Sequence, residues 1–172
     1  MIEDIIGNVK EFLDQLFMQI KILGIDITPF ELDHICYRTS SEEEYQTKKL
    51  LILNYAKLLV ESDVNGRLIS TFKLNSSIRY NDRQIFLLEL PAPKKGISYK
   101  SGLEHIELVI QDNFDIFMKK YPKIEWNIES INKKLNPEIK IKLENDLSVK
   151  FHHLSLKEVI EREKSEISLL MT

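Results

Sequence analysis

Two short stretches of this chain, Leu32-Asp33-His34-Ile35 and Leu103-Glu104-His105-Ile106, repeat one pattern of apolar residue, acid, histidine and isoleucine. About seventy residues separate them, the length of a small supersecondary module. Such a repeat constrains the chain to two matching halves. A histidine held at the same place in each half suggests that both face one shared site.

The rest of the sequence divides on that frame. Apolar residues from Ile2 to Leu23 (Ile5, Ile6, Val9, Phe12, Leu13, Leu16, Phe17 and Ile20) fall on a helical stripe that Gly24 stops. After the first repeated strand, at 33–38, Ser40-Ser41-Glu42-Glu43-Glu44 is a capping box. It opens a helix running to roughly Leu59, with Tyr45, Leu50, Leu51, Leu53, Leu58 and Leu59 toward a sheet. Asn65-Gly66 is the strongest turn signal, between strands at 57–64 and 67–74. A third strand at 84–90 ends at Pro91, because proline has no N–H for a ladder. This half reads β-α-β-β-β.

The second half repeats the order. A strand at 103–110 precedes a helix capped by Asp112-Asn113, then strands near 125–129, 139–143 and 147–153. Ser155-Leu156-Lys157-Glu158 opens a closing helix to about Ser168. The expected organisation is one α+β domain, 1–172. It has an N-terminal helix at 1–24, modules at about 30–93 and 100–154, and a C-terminal helix at about 155–170.

Composition narrows the function classes. A net charge of -3 offers no electrostatic footprint for nucleic acid. No apolar run reaches membrane-spanning length, and the N-terminus carries Glu3 and Asp4 where a secretory signal is positive. The single Cys36 suits a reducing compartment, so the expected location is cytoplasmic. Walker, CxxC and GxSxG patterns are missing from the sequence.

Alternation decides which side chains can meet. His34, Cys36 and Arg38 share one strand face, His105 and Glu107 share another, and Ser148, Lys150 and His152 lie opposite Leu147, Val149 and Phe151. Each half thus offers a histidine in its first strand and a polar candidate in its last, Glu89 or His152. Two imidazoles and a carboxylate suit a divalent transition metal such as iron, manganese or zinc.

Each residue also has a plainer reading. Glu89, set among leucines, needs a metal or a cation, and an Arg38–Glu89 pair would serve without any metal. His153 competes with His152, since a bulge would exchange them. Glu107 is either a partner of a ligating histidine or a solvated rim charge. Cys36 reads as a small buried side chain before a nucleophile.

At these positions the chain resembles the YecM family, within the vicinal oxygen chelate superfamily of glyoxalases, bleomycin-resistance proteins and extradiol dioxygenases. The matching stretches are Asp26-Ile27-Thr28-Pro29, Asp33-His34-Ile35, Asn65-Gly66-Arg67, Phe72-Lys73-Leu74, Glu89-Leu90-Pro91, Glu104-His105-Ile106-Glu107 and Lys150-Phe151-His152. The resemblance implies paired βαβββ modules forming a curved mixed sheet, with helices added at both ends. It implies His34, Glu89 and His105 as ligands of a divalent ion (Zn, Mn, Fe or Ni), with His152 a candidate fourth. Arg38, Arg67 and Lys73 would hold an anionic substrate. The chain departs from the pattern after His152, where His153 stands in place of an expected proline.

The function expected is a metal-dependent isomerase, lyase or oxygenase acting on a small oxygen-rich metabolite, with Glu107 or His152 moving the proton. The chain would act as a monomer or homodimer, without nucleic acid or membrane. The alternatives are a metal-free binding module for a small ligand or protein, and a vestigial site with the N- and C-terminal helices as the working surface, which an exposed apolar stripe from Ile2 to Leu23 would support.

Overall fold

The computed structural model describes residues 1–170, so the last two positions of the expected 1–172 unit lie outside the described residues. In chain order the elements are α1 (Glu3–Ile6), α2 (Val9–Ile22), β1 (Glu31–Arg38), α3 (Glu42–Ile52), β2 (Ala56–Asp63), β3 (Leu68–Tyr80), β4 (Arg83–Pro91), β5 (Gly102–Val109), α4 (Phe114–Lys120), β6 (Glu138–Lys142), β7 (Ser148–His152) and α5 (Leu156–Leu170). All seven strands form one mixed sheet in the order β2-β3-β4-β1-β5-β7-β6. The first strand of each half pairs in parallel with its own last strand, β1 with β4 and β5 with β7. β1 and β5 then join the halves antiparallel at the centre of the sheet. This is the α+β paired-module architecture that the vicinal oxygen chelate resemblance implies, with one strand fewer.

The missing strand is the one expected at 125–129. Only Asn127 bridges Lys140, through reciprocal backbone hydrogen bonds. The Asn127 side chain accepts the Glu129 amide at 3.2 Å, and that local turn bends the chain out of an extended path. The second half is therefore β-α-β-β.

Two helices also depart from expectation. The N-terminal stripe is one apolar face carried by two helices, because Gly7 at φ 90 and the Asn8 cap break the chain. α3 stops at Ile52, and the chain turns through 53–55 into β2. Of α3, Tyr45 and Ile52 are the buried residues, whereas Leu50, Leu51 and Leu53 are exposed, so the leucine stripe does not cover the sheet. The Ser41, Asn113 and Ser155 signals do start helices. Ser41 Oγ accepts the Glu44 amide, Asn113 Oδ1 accepts the Asp115 amide, and Ser155 and Glu158 bond reciprocally.

Turn chemistry sets the hairpins. Asn65 and Gly66, at φ 56 and 79, supply the left-handed pair that a tight hairpin twist requires.

One face of the sheet builds the core. Ile35, Tyr37, Leu88, Leu90, Ile106, Leu108, Val149 and Phe151 pack against Leu13, Leu16 and Ile20 of α2, Tyr45 of α3 and Phe117 of α4. Each such side chain contributes roughly 1.5–3 kcal/mol on burial. The apolar face of α2 is spent inside this core, which removes the exposed N-terminal stripe that a surface role would need. The opposite face is polar and bounds a cleft of about 560 Å³, which Leu156, Val159 and Ile160 of α5 also line.

Candidate metal centre

Strict alternation would send Asp33 to the core side of β1 and Glu104 to the core side of β5. Two bulges prevent it. Along the β1–β5 ladder, Leu32 pairs Leu108 and His34 pairs Glu107, leaving Asp33 as an extra residue. Likewise Cys36 pairs His105 and Tyr37 pairs Leu103, leaving Glu104 as an extra residue. Each bulge turns an acid toward the cleft beside its own histidine. His34 Nδ1 donates to Asp33 Oδ2 at 3.0 Å, and His105 Nδ1 donates to Glu104 Oε2 at 3.3 Å. The repeated acid–histidine pair of the sequence is thus a repeated hydrogen bond.

His152 is held by different groups for the same result. Its Nδ1 meets the Leu154 carbonyl at 2.5 Å and the Asn136 amide nitrogen at 3.2 Å. Asn136 also donates to the Leu154 carbonyl and accepts the Leu154 amide, which fixes the end of β7. His153 turns the other way, stacking on Phe114 at 4.2 Å and bonding the Ile110 carbonyl.

With Nδ1 occupied on three rings, Nε2 of His34, His105 and His152 is left buried without a hydrogen-bond partner among the described residues. The three nitrogens point to one place. Ring centroids of His34 and His105 are 6.3 Å apart, and those of His34 and His152 6.4 Å apart. Glu107 stands between them: Oε1 is 3.5 Å from His34 Nε2 and 3.2 Å from His105 Nε2, and Oε2 is 3.4 Å from His152 Nε2. Glu89 approaches His34 Nε2 at 3.7 Å. One ligand atom from each of His34, Glu89, His105 and Glu107 lies within 4.8 Å of the others.

Orphaned imidazole nitrogens beside carboxylate oxygens are the donor set of a divalent transition metal, so these residues fit the group that the resemblance implies. The bonds from Asp33, Glu104 and Leu154 fix each tautomer and aim each lone pair, the usual support for ligating histidines.

The electrostatics point the same way. Burial disfavours a charged His34, yet the Glu107 charge, the hydrogen bond to Asp33 and the nearby Glu89 carboxylate outweigh it and hold its pKa well above the ordinary value. Burial likewise opposes ionisation of Glu107, but the Lys150 and His34 charges and the adjacent His105 ring drive its pKa well below the usual carboxylate range. Glu104 is drawn down to about 2 against its own burial, by His105 and then Arg38. A field that favours a proton on a buried ring favours any cation there. Burial and the neighbouring Glu89 and Glu104 charges push the Cys36 thiol up, which opposes a thiolate nucleophile.

Of the remaining expected residues, Arg38 and Arg67 line the cleft and Lys73 does not. Arg38 pairs with Glu104 at 3.5 Å, donates to the Lys100 carbonyl and stacks on Tyr99; its partner is therefore not Glu89. Arg67 lines the cleft and donates to the Ala92 carbonyl. Lys73 is exposed on β3 opposite Leu87 and outside the cleft lining, whereas Thr71, two residues before it, lies opposite Glu89 and lines the cleft. Sequence reasoning missed Asp33, Glu104 and Asn136 as supports. The acid in each repeat was the available signal for Asp33, whereas no local signal marks Asn136.

A model described as YecM protein matches residues 1–163. An uncharacterised protein of Haemophilus influenzae is 31% identical over 106 residues, covering 62% of this chain and 53% of that protein. Protein YecM of Escherichia coli is 31% identical over 109 residues, covering 63% and 58%. The chain spans little more than half the length of these curated relatives. A solved structural-genomics protein superposes with a TM-score of 0.76 at 26% identity, covering 89% of this chain and 87% of that one.

Proposed function

The chain belongs to the YecM family, and from that premise we propose that it is a metal-dependent enzyme of the isomerase, lyase or oxygenase type. Its substrate is a small oxygen-rich molecule taken into the cleft. The observation that carries this reading is the convergence on the Glu107 carboxylate of three buried Nε2 atoms that have no hydrogen-bond partner among the described residues.

His34, His105 and Glu89 are the ligands in this reading, and His152 is the fourth. The bound ion, Zn, Mn, Fe or Ni, would supply Lewis-acid polarisation of substrate oxygens. Asp33, Glu104 and the Leu154 carbonyl hold the three rings in the tautomer that leaves Nε2 free. Lys150, 2.6 Å from Glu107 Oε1, keeps that carboxylate ionised and fixed, so Glu107 is placed to take a proton from bound substrate. α5 covers the cleft with Leu156, Val159 and Ile160 and limits water.

Metal analysis of the purified protein tests the assignment. Wild type should carry about one ion per chain and gain thermal stability with added metal, while His34→Ala and His105→Ala should lose both. Stoichiometric metal that survives both substitutions sinks this ligand set. A metal-free anion-binding module is the second reading, favoured by the lysines that line the cleft; it requires no metal-dependent thermal shift.

A further inference from the structure

One row of residues runs straight across four neighbouring strands. His34 of β1 pairs Glu107 of β5, Glu107 pairs Lys150 of β7, and Lys150 pairs Lys140 of β6. Glu107 links the first three members, 3.5 Å from His34 Nε2 and paired with Lys150 Nζ at 2.6 Å. The fourth has no such partner. Among the described residues the Lys140 ammonium forms no ion pair and no hydrogen bond, although it is half-buried and lines the cleft. Glu138 is engaged by Lys133 at 2.9 Å, and Glu104 by Arg38 at 3.5 Å.

Stability does not explain this arrangement. Two ammonium groups directly opposed across an antiparallel pair repel, and desolvation adds to the cost of the one without a counter-ion. Fold requirements alone would be met as well by an apolar or neutral side chain on β6. An unpaired cation directed at a ligand cleft is resolved when an anion arrives.

We infer that Lys140 is the anion anchor of this cleft, gripping a carboxylate or phosphate group of the same small molecule whose vicinal oxygens reach the histidine cluster. The inference rests on reading the cleft as a small-molecule site. It also limits the molecule's size. Two strand spacings separate the backbones of Glu107 and Lys140, about 10 Å, and both side chains reach inward. The substrate is then a short-chain acid with its anionic group a few bonds from the chelating oxygens.

Calorimetric titration of the manganese-loaded protein tests this with 2-oxoglutarate, 2-oxopentanoate and inorganic phosphate. The two oxo acids share a chain length and differ in the distal carboxylate. Wild type should bind 2-oxoglutarate about tenfold or more tightly than 2-oxopentanoate, as one charge-assisted contact implies. Lys140→Met should erase that preference without weakening 2-oxopentanoate, and Lys140→Arg should restore most of it. Phosphate binding that depends on Lys140, in place of the carboxylate preference, identifies a phosphate as the anchored group. The proposal is overturned by an undiminished preference in Lys140→Met, by equal binding of the two oxo acids without phosphate binding, or by no binding of any of the three.

Metal content measured on the same samples separates the two readings. Full metal with no Lys140 effect removes the anchor and leaves the metal centre. No retained metal with Lys140-dependent phosphate binding removes the metal centre and leaves the anchor.

Discussion

The Asp33 carboxylate accepts the backbone amide of Leu156 at 2.8 Å, across 123 positions of sequence, through the same Oδ2 that accepts from His34 Nδ1 at 3.0 Å. One oxygen therefore orients a histidine of the cluster and anchors the first turn of the helix that covers the cleft. An anionic group at a helix N-terminus also favours the helix itself.

Asp33→Ala should consequently act at two places. Metal affinity is expected to fall roughly 10–100-fold, the usual cost of losing a partner behind a ligating histidine. Hydrogen exchange at 156–160 should rise in the same variant. Faster exchange with unchanged metal affinity would show that Asp33 serves the helix alone.

Glu107→Gln and Glu89→Gln separate the two carboxylates. If Glu89 is the ligand and Glu107 the proton acceptor, Glu89→Gln loses metal and Glu107→Gln retains about one ion per chain. Metal stoichiometry is the readout, and the opposite pattern exchanges the two roles.

Lys150→Met removes the counter-charge of buried Glu107. Breaking a buried pair on one side typically costs about 3–5 kcal/mol, so the metal-free variant should unfold at clearly lower denaturant concentration. Added metal should recover more stability in this variant than in wild type, because the ion supplies the missing positive charge. Equal metal-induced shifts would remove Glu107 from the ion's surroundings.

Acid stability has a local test away from the cleft. Glu61 accepts from Lys49, from the Tyr45 hydroxyl at 2.6 Å and from Ser70 at 2.8 Å, joining α3 to the β2–β3 hairpin. Those bonds, Lys49 foremost, lower its pKa from 4.5 to about 2. A depressed carboxylate stabilises fully above the unfolded value and loses that contribution as pH falls from 4.5 toward 2. Glu61→Gln should cost about 1–2 kcal/mol at pH 7, and its unfolding free energy should fall less steeply than wild type over that acid interval. Parallel acid profiles would contradict the assignment.

The sites that local rules described and those they missed differ in kind. Alternation along β7 separated His152 from His153, because a five-residue strand with Val149 and Phe151 in the core leaves its even positions one direction. It failed at Asp33 and Glu104, because a bulge is a property of two paired strands and is invisible in either alone. The helical stripe failed for α3, where Tyr45 and Ile52 hold the buried face and Leu50 and Leu51 stay exposed. Lys73 looked like Arg67 in sequence, yet opposite Leu87 on β3 it stands exposed and outside the cleft lining.

By itself the sequence determined the two-module plan, the main hairpin turns, the helix caps and the identity of the histidine-bearing strands. These follow from interactions within a few residues: side-chain periodicity, left-handed turn positions and cap hydrogen bonds. Only the tertiary structure decided that β1 and β5 pair antiparallel with matching bulges, that Glu107 lies among three rings, and that Lys140 faces Lys150 without an ion pair among the described residues. Each of those depends on strand register between segments distant in sequence, which the packing of the whole sheet sets.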